Sequence, residues 1–237
     1  MTPGDGEVVV LIPALDEEPA LPGVLAAIPR AGRGWRLREV LVVDNGSRDR
    51  TAEVARAVGA RVIAEPRRGY GAACLAGLTA LAAAPPGIVA FMDADGSDDP
   101  SQLGSLLTPI LAGRADLVIG SRMLGEHEPG SLTIAQRFGN RLATGLLGIL
   151  FGLRATDLGP FRAVGWQALA SLRMRDRDFG WTVEMQARAA RAGLRVLEVP
   201  VRYRCRVGRS KISGTVRGAA GAGWKILTTI ARVRAGG

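Results

Sequence analysis

Residues 88–100, IVAFMDADGSDDP, carry an apolar run straight into two carboxylates one residue apart, Asp93 and Asp95. A short apolar run that stops at Asp-Ala-Asp-Gly reads as a buried strand of an α/β sheet, and such sheets bind ligands beyond the carboxyl ends of their strands. Paired carboxylates at that point offer hard oxygen donors to a divalent cation, Mg²⁺ or Mn²⁺, whose remaining positions suit diphosphate oxygens. The pattern therefore points to a nucleotide-linked substrate.

Working outward, residues 8–12 form a second apolar run that ends in Pro13-Ala14-Leu15-Asp16-Glu17-Glu18, after which Leu21, Val24, Leu25 and Ile28 repeat at helical spacing. Residues 39–43 form a third, ending in Asp44-Asn45-Gly46-Ser47. Ser47 or Asp49 is placed to cap the next helix, with Val54, Ala55 and Val58 as its buried stripe. Strands alternating with helical patterns in this way predict a mostly parallel sheet flanked by helices.

PALDEE (13–18), DNGSRDRT (44–51) and DADGSDDP (93–100) stand at three strand ends. They are joined by EPRRGYGAA (65–73), GSR (120–122), DLGPFR (157–162) and RVGRSK (206–211). In this order and spacing the chain resembles the family 2 glycosyltransferases of GT-A fold. It looks most like the branch containing dolichyl-phosphate mannose synthases and polyprenyl-phosphate hexosyltransferases. The likeness runs from about Val8 to about Lys225. It implies a Rossmann-like GT-A domain over residues 1–237, with a core at about 7–205, then a basic loop and an amphipathic C-terminal helix over 206–237. It also implies inverting, metal-dependent transfer of a hexose from a GDP-mannose or UDP-glucose type of donor to polyprenyl phosphate. By the same resemblance Asp95 ligates the metal directly, while Asp93 either contacts ribose or reaches the metal through water. Pro13, Asp16, Glu17 and Asp44 fall to base and ribose contacts, and Gly71 opens a helix whose N-terminus could face phosphate. The chain departs from the family pattern at Leu15-Asp16-Glu17, where Asn-Glu is usual. It departs again at Tyr70, where Lys is frequent, and at Ser97, where many relatives carry Gln. These departures leave base and sugar open.

The basic residues able to clamp phosphate are Arg122, Arg206, Arg209 and Lys211, the last three around a Gly208 hinge. A hydroxyl acceptor needs a base, for which Asp157 ranks ahead of Glu184, which can instead pair with Arg188 one helical turn on. A lipid phosphate needs none. The alternative within the same fold is a soluble hydroxyl acceptor such as a metabolite, glycan or natural product. More remote are a non-catalytic nucleotide-sugar binding protein and a nucleotidyltransferase, the latter disfavoured by the acidic Pro13–Glu18 stretch.

The chain has 237 residues, 47% of them apolar, enough for one core, and its net charge of +9 is almost all arginine, since Lys211 and Lys225 are the only lysines. Arginine forks suit phosphates. Nucleic acid is not expected as a partner, because aromatic content is only 5% and the arginines are spread along the chain. Cys74 and Cys205 give no disulfide framework, and His127 has no second His with which to share a metal. The N-terminus lacks signal-peptide character and no segment reaches the length of a membrane span, so the expected location is cytoplasmic. Residues 142–153, and residues 216–233 with Trp224, Ile226, Leu227 and Ile230 among Arg and Lys, suit either core packing or peripheral docking on the cytoplasmic membrane face. A homo-oligomer interface is compatible with the same apolar faces.

Overall fold

A computed structural model describes residues 6–208 and 216–236. In chain order the elements are β1 (Glu7–Ala14), α1 (Leu21–Ala27), β2 (Ala31–Gly32), β3 (Trp35–Asp44), α2 (Thr51–Ala57), β4 (Arg61–Ala64), α3 (Tyr70–Leu81) and β5 (Ile88–Phe91). A 3₁₀ turn (Pro100–Gln102) then leads into α4 (Leu103–Leu111), β6 (Leu117–Ser121), α5 (Ile134–Phe151), β7 (Arg162–Gly165), α6 (Trp166–Leu172), α7 (Trp181–Arg191), β8 (Val196–Pro200) and α8 (Val216–Arg234).

One sheet runs β2-β3-β1-β5-β7-β6-β8, with β4 also paired to β3. β1 is parallel to β3 and β5, β4 to β3, and β8 to β6, while β7 runs antiparallel between β5 and β6. The mostly parallel, helix-flanked α/β architecture expected from the strand ends is therefore present. The chain leaves β1 for β3 on one side and returns to β5 on the other. The carboxyl ends of β1 and β5 thus meet where the strand order reverses, the place such a sheet leaves open for a ligand.

The continuous apolar runs follow from burial on both faces of the sheet. Val8, Val10 and Ile12 pack with α1 and α4 residues such as Leu21, Leu25 and Leu106, whereas Val9 and Leu11 pack with Cys74, Leu81 and Trp181 on the other side. Each of these β1 side chains is fully buried, and full burial of one stabilises by about 1.5–3 kcal/mol. A third cluster joins α5, α7 and α8 through Ala143, Leu147, Val183, Ala187, Ile230 and Val233.

The buried stripe of α2 differs from expectation. Thr51 and Ala55 are buried, but Val58 sits at the C-cap and is exposed, because the helix is only two turns long and ends before its next inward position. The N-cap position is Arg50 and not Ser47 or Asp49; Asp49 Oδ1, one residue earlier, accepts from Thr51 N at 3.0 Å, and Ser47 accepts a hydrogen bond from Asp16 N. α5 begins well before the apolar stretch at 142. A capping box between Thr133 and Gln136 starts it, and Gly152 at φ 69° ends it. Its outer face leaves Ile134, Phe138, Leu142 and Ile149 exposed. Among the described residues no helix is long and apolar enough to cross a membrane.

Candidate active site

A cavity of about 400 Å³ lies at the reversal of strand order, lined by Pro13, Asp16, Glu17, Asn45, Arg68, Gly69, Tyr70, Asp93, Asp95, Asp178, Phe179 and Arg206, among others. The loop after β1 reaches it by an uncommon backbone turn, with Asp16 at φ 52°. The loop after β3 holds that turn in place. Asp16 N donates to Ser47 Oγ (2.9 Å), Arg48 N to Asp16 Oδ1 (2.6 Å) and Glu17 N to Thr51 Oγ1 (2.8 Å). Of the residues expected to contact base and ribose, Pro13, Asp16 and Glu17 line this cavity. Asp44 does not; its Oδ1 accepts from Ser47 N, and Asn45 takes the place on the wall. Asn45 also donates to Glu65 O and Arg67 O and accepts from Gly69 N, tying the β3 loop to the start of α3.

Gly71 is used differently from the expectation. A side chain there would collide with the backbone of Asp176 and Arg177, and Ala72 N already donates to Arg177 O at 2.9 Å. The start of α3 is thus packed against the 175–178 segment, and Gly69, at φ 138°, is the residue on the cavity wall.

Asp93 and Asp95 both line the cavity. Asp95 is 3% exposed; its Oδ1 accepts from Ser97 N (2.9 Å) and Ser97 Oγ (2.6 Å), and Arg206 pairs with its Oδ2. Asp98 accepts from Asp93 N at 3.0 Å. Burial, followed by the neighbouring charges of Asp95 and Asp98, pushes the Asp93 carboxyl well above its ordinary range. Asp98 is pushed up to about 7, mainly by burial. A crowded, desolvated acidic cluster of this kind favours a bound cation. Among the described residues no group of three or more metal-ligating side chains exists, so Asp93 and Asp95 fit a cation only if the substrate completes its shell.

A second cavity, about 320 Å³, shares Tyr70, Asp93, Asp95, Phe179 and Arg206 with the first. Its far wall comes from Arg122, Gln136, Asn140, Thr182, Tyr203 and, on α8, Gly223 and Ile226. Arg122 is held by Asp157: Nε donates to Oδ2 (2.8 Å), Nη2 to Oδ1 (2.6 Å) and the backbone N to Oδ2 (2.8 Å), while its guanidinium lies 5.0 Å from the centre of the Tyr203 ring. Asp157 is fully buried behind that fork and does not line the cavity. Its carboxylate faces Arg122 and not the cavity.

The segment around Asp157 is fixed from several sides. Glu198 accepts from Thr156 N and Asp157 N, Asn140 Oδ1 from Leu158 N, and Gln186 Nε2 donates to Asp157 O. Arg162, wholly buried, donates to the carbonyls of Leu158, Gly159 and Thr182, and burial lowers it to about 10. Glu184 is likewise enclosed, accepting from Arg175 N, Asp176 N and Arg188 Nε, so the structural reading of that carboxylate holds. His127 pairs with Arg137 at 3.0 Å, and the two cysteines are free. Arg209 and Lys211 lie outside the described residues. Of the wall residues Asn45, Asp178, Phe179 and Tyr203, Asn45 lies within the DNGSRDRT motif and the other three within none.

The model of the family described as glycosyl transferase family 2 matches residues 9–176. The chain belongs to glycosyl transferase family 2. Within this family it is 44% identical to an uncharacterized glycosyltransferase of Mycobacterium tuberculosis, covering 93% of this chain and 98% of that one. It is 34% identical to a dolichyl-phosphate hexose transferase of Haloferax volcanii, over 90% of each. Among solved structures it resembles a glucosyl-3-phosphoglycerate synthase from Mycobacterium tuberculosis, in complex with Mn²⁺, UDP and glucosyl-3-phosphoglycerate. The TM-score is 0.75 at 26% identity, covering 97% of this chain and 80% of that one. The GT-A fold and the family read from the motifs are thereby established, and the neighbour binds the kind of cation and nucleotide expected.

Proposed function

We propose that this family 2 glycosyltransferase moves a hexose from a nucleoside-diphosphate sugar to a soluble, phosphate-bearing acceptor, with inversion and with a divalent cation. The observation that carries the reading is the pair of cavities meeting at Tyr70, Asp93, Asp95, Phe179 and Arg206, the second of them containing the fixed guanidinium of Arg122. A donor whose diphosphate lies by Asp95 presents its sugar at that shared wall, open to attack from the acceptor side. Displacement from opposite cavities suits inversion.

Asp93 and Asp95 would hold the cation, which when bound neutralises charge on the departing diphosphate. Arg206 is placed to donate to that diphosphate, and Arg122 to the acceptor's phosphate as a planar fork. Asn45, Glu17 and Asp16 face the nucleoside end. Among the described residues, Asp93 and Asp95 are the only carboxylates lining the acceptor cavity. A hydroxyl acceptor therefore gives its proton to one of them or to a departing phosphate oxygen rather than to Asp157. The soluble acceptor draws its support from the Arg122 guanidinium on the wall of that cavity and from the phosphoglycerate named with the solved neighbour.

A second reading, polyprenyl phosphate as acceptor, is favoured by one observation. The acceptor cavity is lined in part by α5 and α8, the helices on which Ile134, Phe138 and Trp224 are exposed. Such an acceptor arrives ionised and needs no base, and a relative named for a lipid phosphate supports it. Turnover of a panel of nucleotide sugars with Mn²⁺, following released nucleoside diphosphate, tests both. Release that requires phosphoglycerate or another small phosphate upholds the first reading, and release that requires polyprenyl phosphate transfers the assignment to the second. Release indifferent to either acceptor rejects both.

A further inference from the structure

We propose that Arg206 guards the cation site: it is the chain's own counter-charge for Asp95, it competes with a divalent cation there, and the diphosphate of the donor draws it away. This rests on the metal-dependent reading above. The segment carrying Arg206 is stitched along the acidic loop almost residue by residue. Arg202 N donates to Gln102 Oε1 (2.6 Å), Arg204 N to Ser97 O (2.8 Å) and Val207 N to Asp95 O (2.9 Å). The guanidinium groups of Arg202 and Arg204 each lie 3.1 Å from Asp99 Oδ2. That register sets the Arg206 side chain directly over Asp95.

With Ser97 on Oδ1 and Arg206 on Oδ2, Asp95 has both oxygens engaged by the chain itself. A divalent cation that takes Oδ2 must displace a guanidinium, and the two positive charges repel if both stay. Arg206 has somewhere to go. It lines both cavities, and among the described residues its buried Nε–H has no hydrogen-bond partner, so that part of its donor fork is unspent there. A diphosphate oxygen arriving beside it accepts from that Nε–H and from Nη2 together, a bidentate arrangement that the single contact with Asp95 does not offer. Gly208, at φ 86°, follows two residues later, a backbone turn that glycine adopts without strain. The consequence is an order of binding. Nucleotide and cation assist one another because the same side chain stands between them, and by linkage the assistance is reciprocal.

The test is Mn²⁺ binding followed by electron paramagnetic resonance, which needs no turnover. Wild type, Arg206→Gln and Arg206→Lys are compared with Mn²⁺ alone and with Mn²⁺ plus UDP or GDP. Wild type is expected to bind Mn²⁺ weakly alone and at least about tenfold more tightly with the nucleotide it recognises, a modest coupling for closely spaced charges. Arg206→Gln is expected to bind Mn²⁺ alone about tenfold more tightly than wild type and to lose most of the nucleotide effect. Arg206→Lys, which keeps the charge, stays as weak as wild type with Mn²⁺ alone. Equal or weaker Mn²⁺ affinity in a folded Arg206→Gln overturns the inference. Should that variant not fold, a wild type that binds Mn²⁺ as tightly without nucleotide as with it overturns it equally. Mn²⁺ bound by none of the proteins, even with nucleotide, would instead reject the metal-dependent function, and this inference with it.

Discussion

Replacing Asp157 by Asn separates a residue that orients Arg122 from one that takes a proton. Asp157 is wholly buried and the Arg122 side chain is 14% exposed, so the pair is a buried, bidentate one. Removing one partner of such a pair costs about 3–5 kcal/mol, because it strands the other charge. The slight exposure of Arg122 and the acceptor oxygen kept by Asn put the expectation at the lower end, about 3 kcal/mol. For a chain of this length that is roughly 6–12 °C in Tm. Arg122→Gln is expected to cost a similar amount. The double variant should cost about 2 kcal/mol less than the sum, since the lost contact is counted twice. Urea denaturation of the four proteins gives the cycle. In turnover, Asp157→Asn should raise the KM for acceptor as Arg122 loses its fixed direction, with the pH profile of kcat unchanged in shape. An Asp157→Asn protein as stable as wild type, with kcat lost and the acidic limb of its pH profile gone, would refute the orienting role and restore Asp157 as base.

Gly71→Ala drives a Cβ into the Asp176 carbonyl; a loss of more than about 2 kcal/mol is expected in urea titration, with weakened nucleotide binding by calorimetry. Asp176 sits at the centre of the contact between α8 and the body, accepting from Thr229 (3.1 Å) and Arg232 (3.0 Å), with Lys225 at 3.4 Å. Although burial opposes its charge, these partners and the Asp178 N–H lower it below the ordinary 3.8. A depressed carboxylate contributes stability that is present above about pH 4 and lost as pH falls through the folded value. Trp224 fluorescence should therefore report loosening of α8 below about pH 4, and Asp176→Asn should show it already at pH 7. If the lipid acceptor is the right one, Trp224→Ala together with Phe138→Ala should abolish sedimentation with anionic vesicles at low salt. Unchanged binding would remove the exposed faces of α5 and α8 from that reading.

What the sequence made legible was whatever rests on periodicity and local chemistry. The runs at 8–12 and 88–92, each of five consecutive apolar residues ending at an Asp-bearing turn, suit strands buried on both faces of a parallel sheet, and their ends share one opening. Asp16, Glu17, Asp93 and Asp95 are at that opening for this reason. What depends on partners far along the chain was not legible. Asp157 and Arg122 are 35 residues apart, and only the packing of the 156–162 segment under β6 shows that the carboxylate faces its arginine and not the acceptor. Gly71 looked like phosphate chemistry locally, yet the 175–178 backbone, distant in sequence, presses against it. Phe179 and Tyr203 carry no local signature at all; they reach the cavities because α7 and β8 deliver them there.

The two cavities explain why the acidic and basic residues are distributed as they are. Carboxylates that face substrate are few and crowded, and burial raises Asp93 and Asp98 in the absence of a stronger positive charge beside them. Two arginines near the shared wall of the cavities are instead matched to a carboxylate, Arg122 to Asp157 and Arg206 to Asp95. The two pairs differ in what they leave unspent. Arg122 commits its Nε and Nη2 donors to a partner that cannot move, so it is a fixed fork, suited to an acceptor phosphate that must be aimed. Arg206 commits Nη2 to Asp95, its Nε has no hydrogen-bond partner among the described residues, and Gly208 at φ 86° follows two residues on. It is therefore the arginine that can follow a diphosphate as it changes from linkage to leaving group.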